Sequence, residues 1–404
     1  MKLLLIHQAF QPESGAGGTR HFEFGKEFVK HGNEFVVVAS NVSYMDAKRV
    51  DERRTTTEGV DVVRARIPHF IHTGYFWRSV AFVCYMLSSF WAGIRERKVD
   101  LVMGTSPSLF QATSAALVAM VKRKPFLLEV RDLWPDFAID MGILKSRFLI
   151  WIARRVESFI YWRASHILVN SPAYVDYLVN RGIKPGKVSL ISNGVDPKMF
   201  DTNATGTRIR RELGLEEFFV VTYAGAIGQA NDIPTIVRAA ERLADDPSIR
   251  ILLIGGGKAE NEIKKLIEET GLTNVLMPGT RPKSEMSDIL AASDVCVATL
   301  LNIPMFKTVY PNKIFDYMAA EKPILMGIDG VIREVVEKSD CGRFITPGDD
   351  EQLADGVLWM KDNFDQAIEM GKRGREYVIE HFNRDKHSAE FLSLAQSVVE
   401  KKSK

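Results

Sequence analysis

DTNATGTRIRRELGLEEFFVVTYAG, from Asp201 to Gly225, decides how this chain is divided. Its first half mixes Asp, Asn, Thr, Gly and Arg and has no strand pattern. Its second half, FFVVTYAG, is a short apolar run closed by glycine, as in a strand buried on both faces. Before it, the runs KLLLIH, FVVVAS, VDVVRAR, DLVMGT, PFLLEV and HILVNS alternate with helix-like segments such as 20–31 and 108–121. After it come IRILLIGGG, NVLMPG, DVCVATL and KPILMGI, again with helices between. The βαβ rhythm therefore runs twice. We expect an α/β fold of two Rossmann-like doubly wound domains facing across a cleft, with ligands at the carboxyl ends of the strands. The first domain spans 1–200 and the second 205–375. The last helical stretch, 385–404, follows the completed second sheet and is expected to pack back on the first domain.

Composition narrows the function. The 404 residues are 46% hydrophobic and 26% charged, which suits a soluble globular protein. A net charge of +2 argues against a nucleic-acid partner held by bulk charge. Cys84, Cys296 and Cys341 share no short spacing, so buried free thiols are expected, with no metal cluster and no disulfide framework. The start, MKLLLIHQAF, reads as a buried strand rather than a secretory signal. The uncharged run 79–94 is shorter than the roughly 20 residues that cross a bilayer.

Four stretches carry chemistry. QPESGAGGTRHFEF places Glu13, Gly15, Gly17 and Gly18 between the first strand and first helix, where backbone N–H groups can meet an anion. A plain flexible turn is the alternative. The stretch is not G-x-G-x-x-G with an acid after the second strand, so a nicotinamide cofactor is disfavoured. EVRDLWPD crowds Glu129, Arg131, Asp132 and Asp136 at a strand's carboxyl end. That suits acid–base work or charge stabilisation, with a structural ion-pair network as the alternative. LISNGVDPKMF sets turns at Asn193-Gly194 and Asp196-Pro197. VYPNKIFDYMAAEKPIL opens a helix with Pro311, Asn312 and Lys313 and carries Asp316 one turn on. A lysine is unfavourable at a helix N-terminus unless an anion sits beside it. A nucleoside diphosphate fits, with phosphates at the helix start and ribose hydroxyls on Asp316; a surface i, i+3 ion pair is the alternative.

In combination these stretches resemble the retaining nucleotide-sugar glycosyltransferases of family 4, which have the GT-B fold. The likeness covers nearly the whole chain, through GGTRHFEFGKEFVKHGNEFVVV, ISNGVD, VTYAGAIG, LLIGGG and KIFDYMAAEKPIL. VRDLWPD and YPNKIFDYMAAEKPIL are similar to bacterial O-antigen and capsule enzymes, the N-acetyl-L-fucosamine transferases among them. The resemblance implies a UDP-sugar donor, a polyprenyl-diphosphate-linked saccharide acceptor and a peripheral site on the cytoplasmic face of the plasma membrane. It implies donor contacts from Gly17, Gly18, Asn193, Gly225, Thr308, Tyr310, Pro311, Asn312, Lys313 and Asp316. Asp132 and Arg131 are the candidate catalytic pair, with Glu129 and Glu13 in reserve. No metal or other cofactor is expected.

The chain departs from the family pattern. Of its usual Glu-x7-Glu pair, Asp316 matches the second acid and Thr308 stands at the first. The basic positions after the second domain's first strand read Ala226 and Asn231. Lys313, with Arg281 or Lys283, is the expected replacement. A family His after LLEV reads Arg131.

Two first-domain segments, 74–98 and 142–166, are rich in aromatics. The second carries Arg147, Trp151, Arg154 and Arg155, which suits a helix lying on an anionic bilayer, or else a core helix with a solvated basic side. Alternatives are a related enzyme with a soluble acceptor, a UDP-sugar epimerase, and a non-catalytic nucleotide-sugar-binding protein.

Overall fold

The computed structural model of the protein describes residues 1–10, 20–42, 49–68 and 75–403. They form two compact units, Met1–Ser192 with Asp385–Lys404, and Asn193–Arg384. The division falls before the Asn193-Gly194 turn rather than near residue 200. The reason is that the turn's side chains and backbone bond within the second unit. Asn193 Nδ2 donates to Tyr310 O at 3.0 Å, and Val195 N donates to Phe382 O at 3.0 Å.

In the first unit the described strands are β1 (Lys2–Ile6), β2 (Glu34–Ser40), β3 (Arg54–Thr57), β4 (Val60–Ala65), β5 (Leu101–Thr105), β6 (Phe126–Val130), β7 (His166–Val169) and β8 (Val188–Leu190). They make one sheet in the order β3-β4-β2-β1-β5-β6-β7-β8, with Leu4 beside both Val36 and Val102. Every neighbouring pair is parallel except β3 with β4. Sequence reading did not foresee that hairpin. Its edge strand, RTTT, is short and has no apolar run, and its turn is set by Glu58 and Gly59 at positive φ. Helices Arg20–Lys30 and Arg384–Ser403 meet over the sheet, where Phe391 stacks on Phe24 with ring centroids 4.1 Å apart.

The second unit has β9 (Phe219–Ala224), β10 (Ile249–Ile254), β11 (Val275–Gly279), β12 (Val295–Thr299), β13 (Ile324–Gly327) and β14 (Gly342–Phe344), in the order β11-β10-β9-β12-β13-β14 and all parallel. β14 is three residues long and carries no pattern in the sequence. Cys296 and Cys341 are buried and free, and Cys84 is partly buried and free.

Strand order turns from one side to the other between β1 and β5, and again between β9 and β12. The doubly wound fold class is as expected. In such sheets the crevice outside the carboxyl ends at a switch point is where ligands bind. Each unit has one.

Candidate active site

At the second unit's switch point, β9 is followed by Gly225, and β12 leads through the turn Pro304–Thr308 to the helix Asn312–Ala319. No side chain caps that helix; Ile314 N donates to Pro311 O at 3.2 Å, and among the described residues the N–H groups of Asn312 and Lys313 are left for another partner. Lys313 does not reach outward. Its Nζ donates to Tyr223 OH at 2.6 Å and to Asn231 Oδ1 at 3.1 Å, and lies 4.0 Å from the Tyr223 ring centroid. Among the described residues it meets no carboxylate. Burial lowers its pKa to about 7. Through Asn231, the Lys313 side chain reaches one of the two positions where the resemblance implies a basic residue. A first side-chain carbon on Gly225 would stand 3.1 Å from this ammonium, and one on Gly255, at φ +140°, only 1.8 Å from Gly225 O. The two glycines thus let the loops after β9 and β10 touch backbone to backbone.

Asp316 lies one turn on. Burial raises its carboxyl to about 6, against the pull of Arg384 and Lys283. Tyr317 ties the helix to β9, accepting from Ala224 N at 2.9 Å. Tyr310 packs edge-on against Phe315 and Phe382, so its ring is part of an aromatic cluster. Thr308 Oγ1 donates to Met305 O at 2.7 Å, within its own turn. Arg281 is a correction: Glu212 takes it at 2.6 Å and Glu285 at 3.5 Å, so it brings no spare charge.

At the first unit's carboxyl edge, Arg131 and Asp132 follow β6. Both backbone N–H groups donate to Ser106 Oγ, at 2.7 and 3.1 Å, which fixes the turn. Asp132 is half-buried, and the crowding raises its carboxyl to about 6 in spite of Arg131. Glu129 is a second correction. It is fully buried and accepts from Arg20 Nε at 2.9 Å, His21 Nε2 at 2.5 Å and Thr105 Oγ1 at 2.9 Å. Burial pushes its pKa up, but His21, Arg20 and Arg131 outweigh that and hold it well below the usual range. A carboxylate so fully occupied is not a free acid or base. Asp136 is likewise committed, to Arg154 and Tyr177. Glu13, Gly17 and Gly18 lie outside the described residues.

Arg154 is a third correction. It turns inward to Asp136, at 2.9 Å from Nη1 to Oδ2, and lies 3.7 Å from the buried Glu157. Arg147 and Arg155 stay exposed, and Arg155 covers the Trp151 ring at 5.4 Å. The apolar side chains are the more exposed feature. Helix Arg147–Arg163 shows Phe148 at 68% and Trp151 at 56% of full exposure, with Trp162 at 72%. Helix Leu109–Val121 packs beside it and bares Met120 and Val121. Helix Tyr75–Arg95, packed against that, bares Leu87 and Trp91. No described helix is long and apolar enough to cross a membrane.

Sequence reading missed His7, Gln8 and His21, all buried at the same edge of the first sheet. For His7 and Gln8 a signal existed: polar residues directly after a buried parallel strand. His21 had none, since its partner Glu129 is 108 residues away. Among the described residues no three His, Cys, Asp or Glu side chains gather as a metal site.

Residues 15–194 match the family model described as glycosyl transferase 4-like domain, and residues 206–377 that of glycosyl transferases group 1. The probable glycosyltransferase WbjE of Pseudomonas aeruginosa is 28% identical over 268 residues, 64% of this chain and 66% of its own length. Alpha-galactosylglucosyldiacylglycerol synthase of Streptococcus pneumoniae is 26% identical over 253 residues, 59% of this chain and 64% of its own length. These matches span just under two thirds of the relatives. Anabaena HepE, solved in complex with UDP, superposes with a TM-score of 0.75 at 17% identity, over 98% of this chain and 100% of that one. With a transferase model matched on each unit and the two-unit fold shared end to end, the chain belongs to the family 4 glycosyltransferases of the GT-B fold.

Proposed function

We propose that the protein moves a sugar from a UDP-sugar to a polyprenyl-diphosphate-linked saccharide, keeping the anomeric configuration, in the assembly of a bacterial surface polysaccharide such as O-antigen or capsule. One observation carries this reading. Lys313 brings an ammonium with only neutral partners to an uncapped helix start at a sheet's switch point. Such a place has a positive potential, and among the described residues no carboxylate pairs with the ammonium, which suits the donor's diphosphate. Asp316 is one helical turn away and suits the ribose hydroxyls. UDP as the nucleotide is supported by the UDP bound to HepE.

The second unit then holds the donor and the first receives the acceptor. A lipid-borne acceptor is supported by the bared Phe148, Trp151 and Trp162, which suit the interfacial region of a bilayer. The name of the pneumococcal relative, a diacylglycerol glycolipid synthase, points the same way. The protein would lie on the inner face of the plasma membrane. N-acetyl-L-fucosamine as the transferred sugar rests on the likeness in VRDLWPD and YPNKIFDYMAAEKPIL. Lys313 and the helix start would neutralise the diphosphate without a metal. A thermal-shift screen of UDP-, GDP- and TDP-sugars tests the donor. Stabilisation by UDP and by UDP-N-acetyl-L-fucosamine above the rest is expected, and preference for another nucleotide would overturn the donor assignment.

A further inference from the structure

We infer that His21, positioned by Glu129, binds a hydroxyl of the acceptor saccharide together with His7 and Arg131; this rests on the transferase reading above. Among the described residues, both side-chain amide atoms of Gln8 lack a hydrogen-bond partner at the first unit's carboxyl edge, and so do the buried atoms His21 Nδ1, His7 Nδ1 and Arg131 Nε. The last three belong to one cluster. The His7 and His21 rings stand 4.7 Å apart, and the Arg131 charge acts on both and on Glu129. His21 is fully buried and His7 nearly so. Buried polar atoms are rarely left unpaired, which points to a group outside the described residues that completes them.

The chemistry of that group follows from the proton positions. Glu129 Oε2 lies 2.5 Å from His21 Nε2 and also accepts from Thr105 Oγ1, while Oε1 accepts from Arg20. An ionised carboxylate only accepts, so His21 Nε2 carries the proton. Burial lowers the imidazole's pKa, which favours the neutral form with a lone pair at Nδ1. Arg131 Nε can only donate. A phosphate, which only accepts, would satisfy Arg131 and not His21. A hydroxyl does both. The cluster sits at the switch point between β1 and β5, on the edge that also bears Asp132.

His21→Gln tests this. The Gln amide replaces the Nε2 donor toward Glu129 and deletes the Nδ1 acceptor. With undecaprenyl-diphosphate-linked N-acetylglucosamine as probe acceptor, its KM should rise about tenfold or more while UDP affinity stays within about twofold. In the parent, the imidazole 15N spectrum should show a lone-pair Nδ1 on His21 that shifts when the probe is added and not with UDP alone; this reading stands even where the variant folds poorly. An unchanged acceptor KM and an unmoved Nδ1 signal, in a parent that turns over, overturn the inference and leave the transferase reading standing. A parent that binds UDP but never turns over with the probe removes the acceptor reading and this inference with it.

Discussion

Lys313 holds its ammonium against an aromatic ring with two neutral oxygens as partners, and burial there disfavours the charged form. With its pKa lowered from 10.5 to about 7, the free lysine is charged below about pH 7 and mostly neutral above. A diphosphate favours the charged form. UDP binding at pH 8 should therefore draw close to one proton from the buffer, and at pH 6 almost none. Calorimetry in two buffers of different ionisation enthalpy reads this directly. Lys313→Met should abolish the uptake and weaken UDP about 10- to 100-fold, since a hydrogen bond to a charged group contributes about 1.5–3 kcal/mol. Asp132 has the opposite sign. Burial raises it to about 6, so it is ionised above that pH. In the parent kcat should rise between about pH 5 and 7, and in Asp132→Asn it should be lower and flat while UDP affinity stays near parental. A rise that persists in the variant would assign the titration to another group. Lys313 and Asp132 were legible in the sequence because a cation in a first helical turn and an acid after a buried strand are local patterns. Glu129 was misread for the complementary reason: its three partners, Arg20, His21 and Thr105, come from other elements and no spacing reveals them.

Helix Arg147–Arg163 separates into two sides with different work. Arg154 and Glu157 face Asp136, Tyr177 and Arg181, with Arg181 Nη1 at 2.7 Å from Glu157 Oε2. That network holds the helix to its unit. Arg154→Gln should lower the melting temperature by about 3–10 °C, from a loss of about 1.5–3 kcal/mol, with no direct effect on vesicle binding. Phe148→Ser with Trp151→Ser should do the reverse. Each apolar side chain moved out of water contributes about 1.5–3 kcal/mol, so partition onto anionic vesicles should fall tenfold or more with melting unchanged. Arg147→Gln and Arg155→Gln should each weaken binding about fivefold at low salt, from about 1 kcal/mol per charge, and have little effect at high salt. Sedimentation with vesicles separates the three cases. The helix and its basic–aromatic mixture were plain in the sequence. Which arginines point out was not, because Arg154's ties depend on Asp136 and Tyr177, brought near only by the fold.

At the scale of the molecule there are two sheets with one switch point each, and under the proposed function they divide the task, donor in one unit and acceptor in the other. This architecture was the most legible feature, since parallel strands buried on both faces leave continuous apolar runs and the polar interval at 201–217 separates two sets of them. The exceptions, β3 and β14, are short edge strands without such runs. If Lys313 and the helix start neutralise the diphosphate, EDTA should leave turnover unchanged; loss of activity with a chelator, restored by magnesium or manganese, would show that a metal does that work. The central claim, a UDP-sugar passed to a lipid-borne saccharide, meets its most direct test in UDP release from UDP-N-acetyl-L-fucosamine. The release should be fast with undecaprenyl-diphosphate-linked N-acetylglucosamine in vesicles and slow with vesicles alone or with free N-acetylglucosamine. Equal release without the lipid-linked saccharide, or none under any combination despite UDP binding, would contradict it.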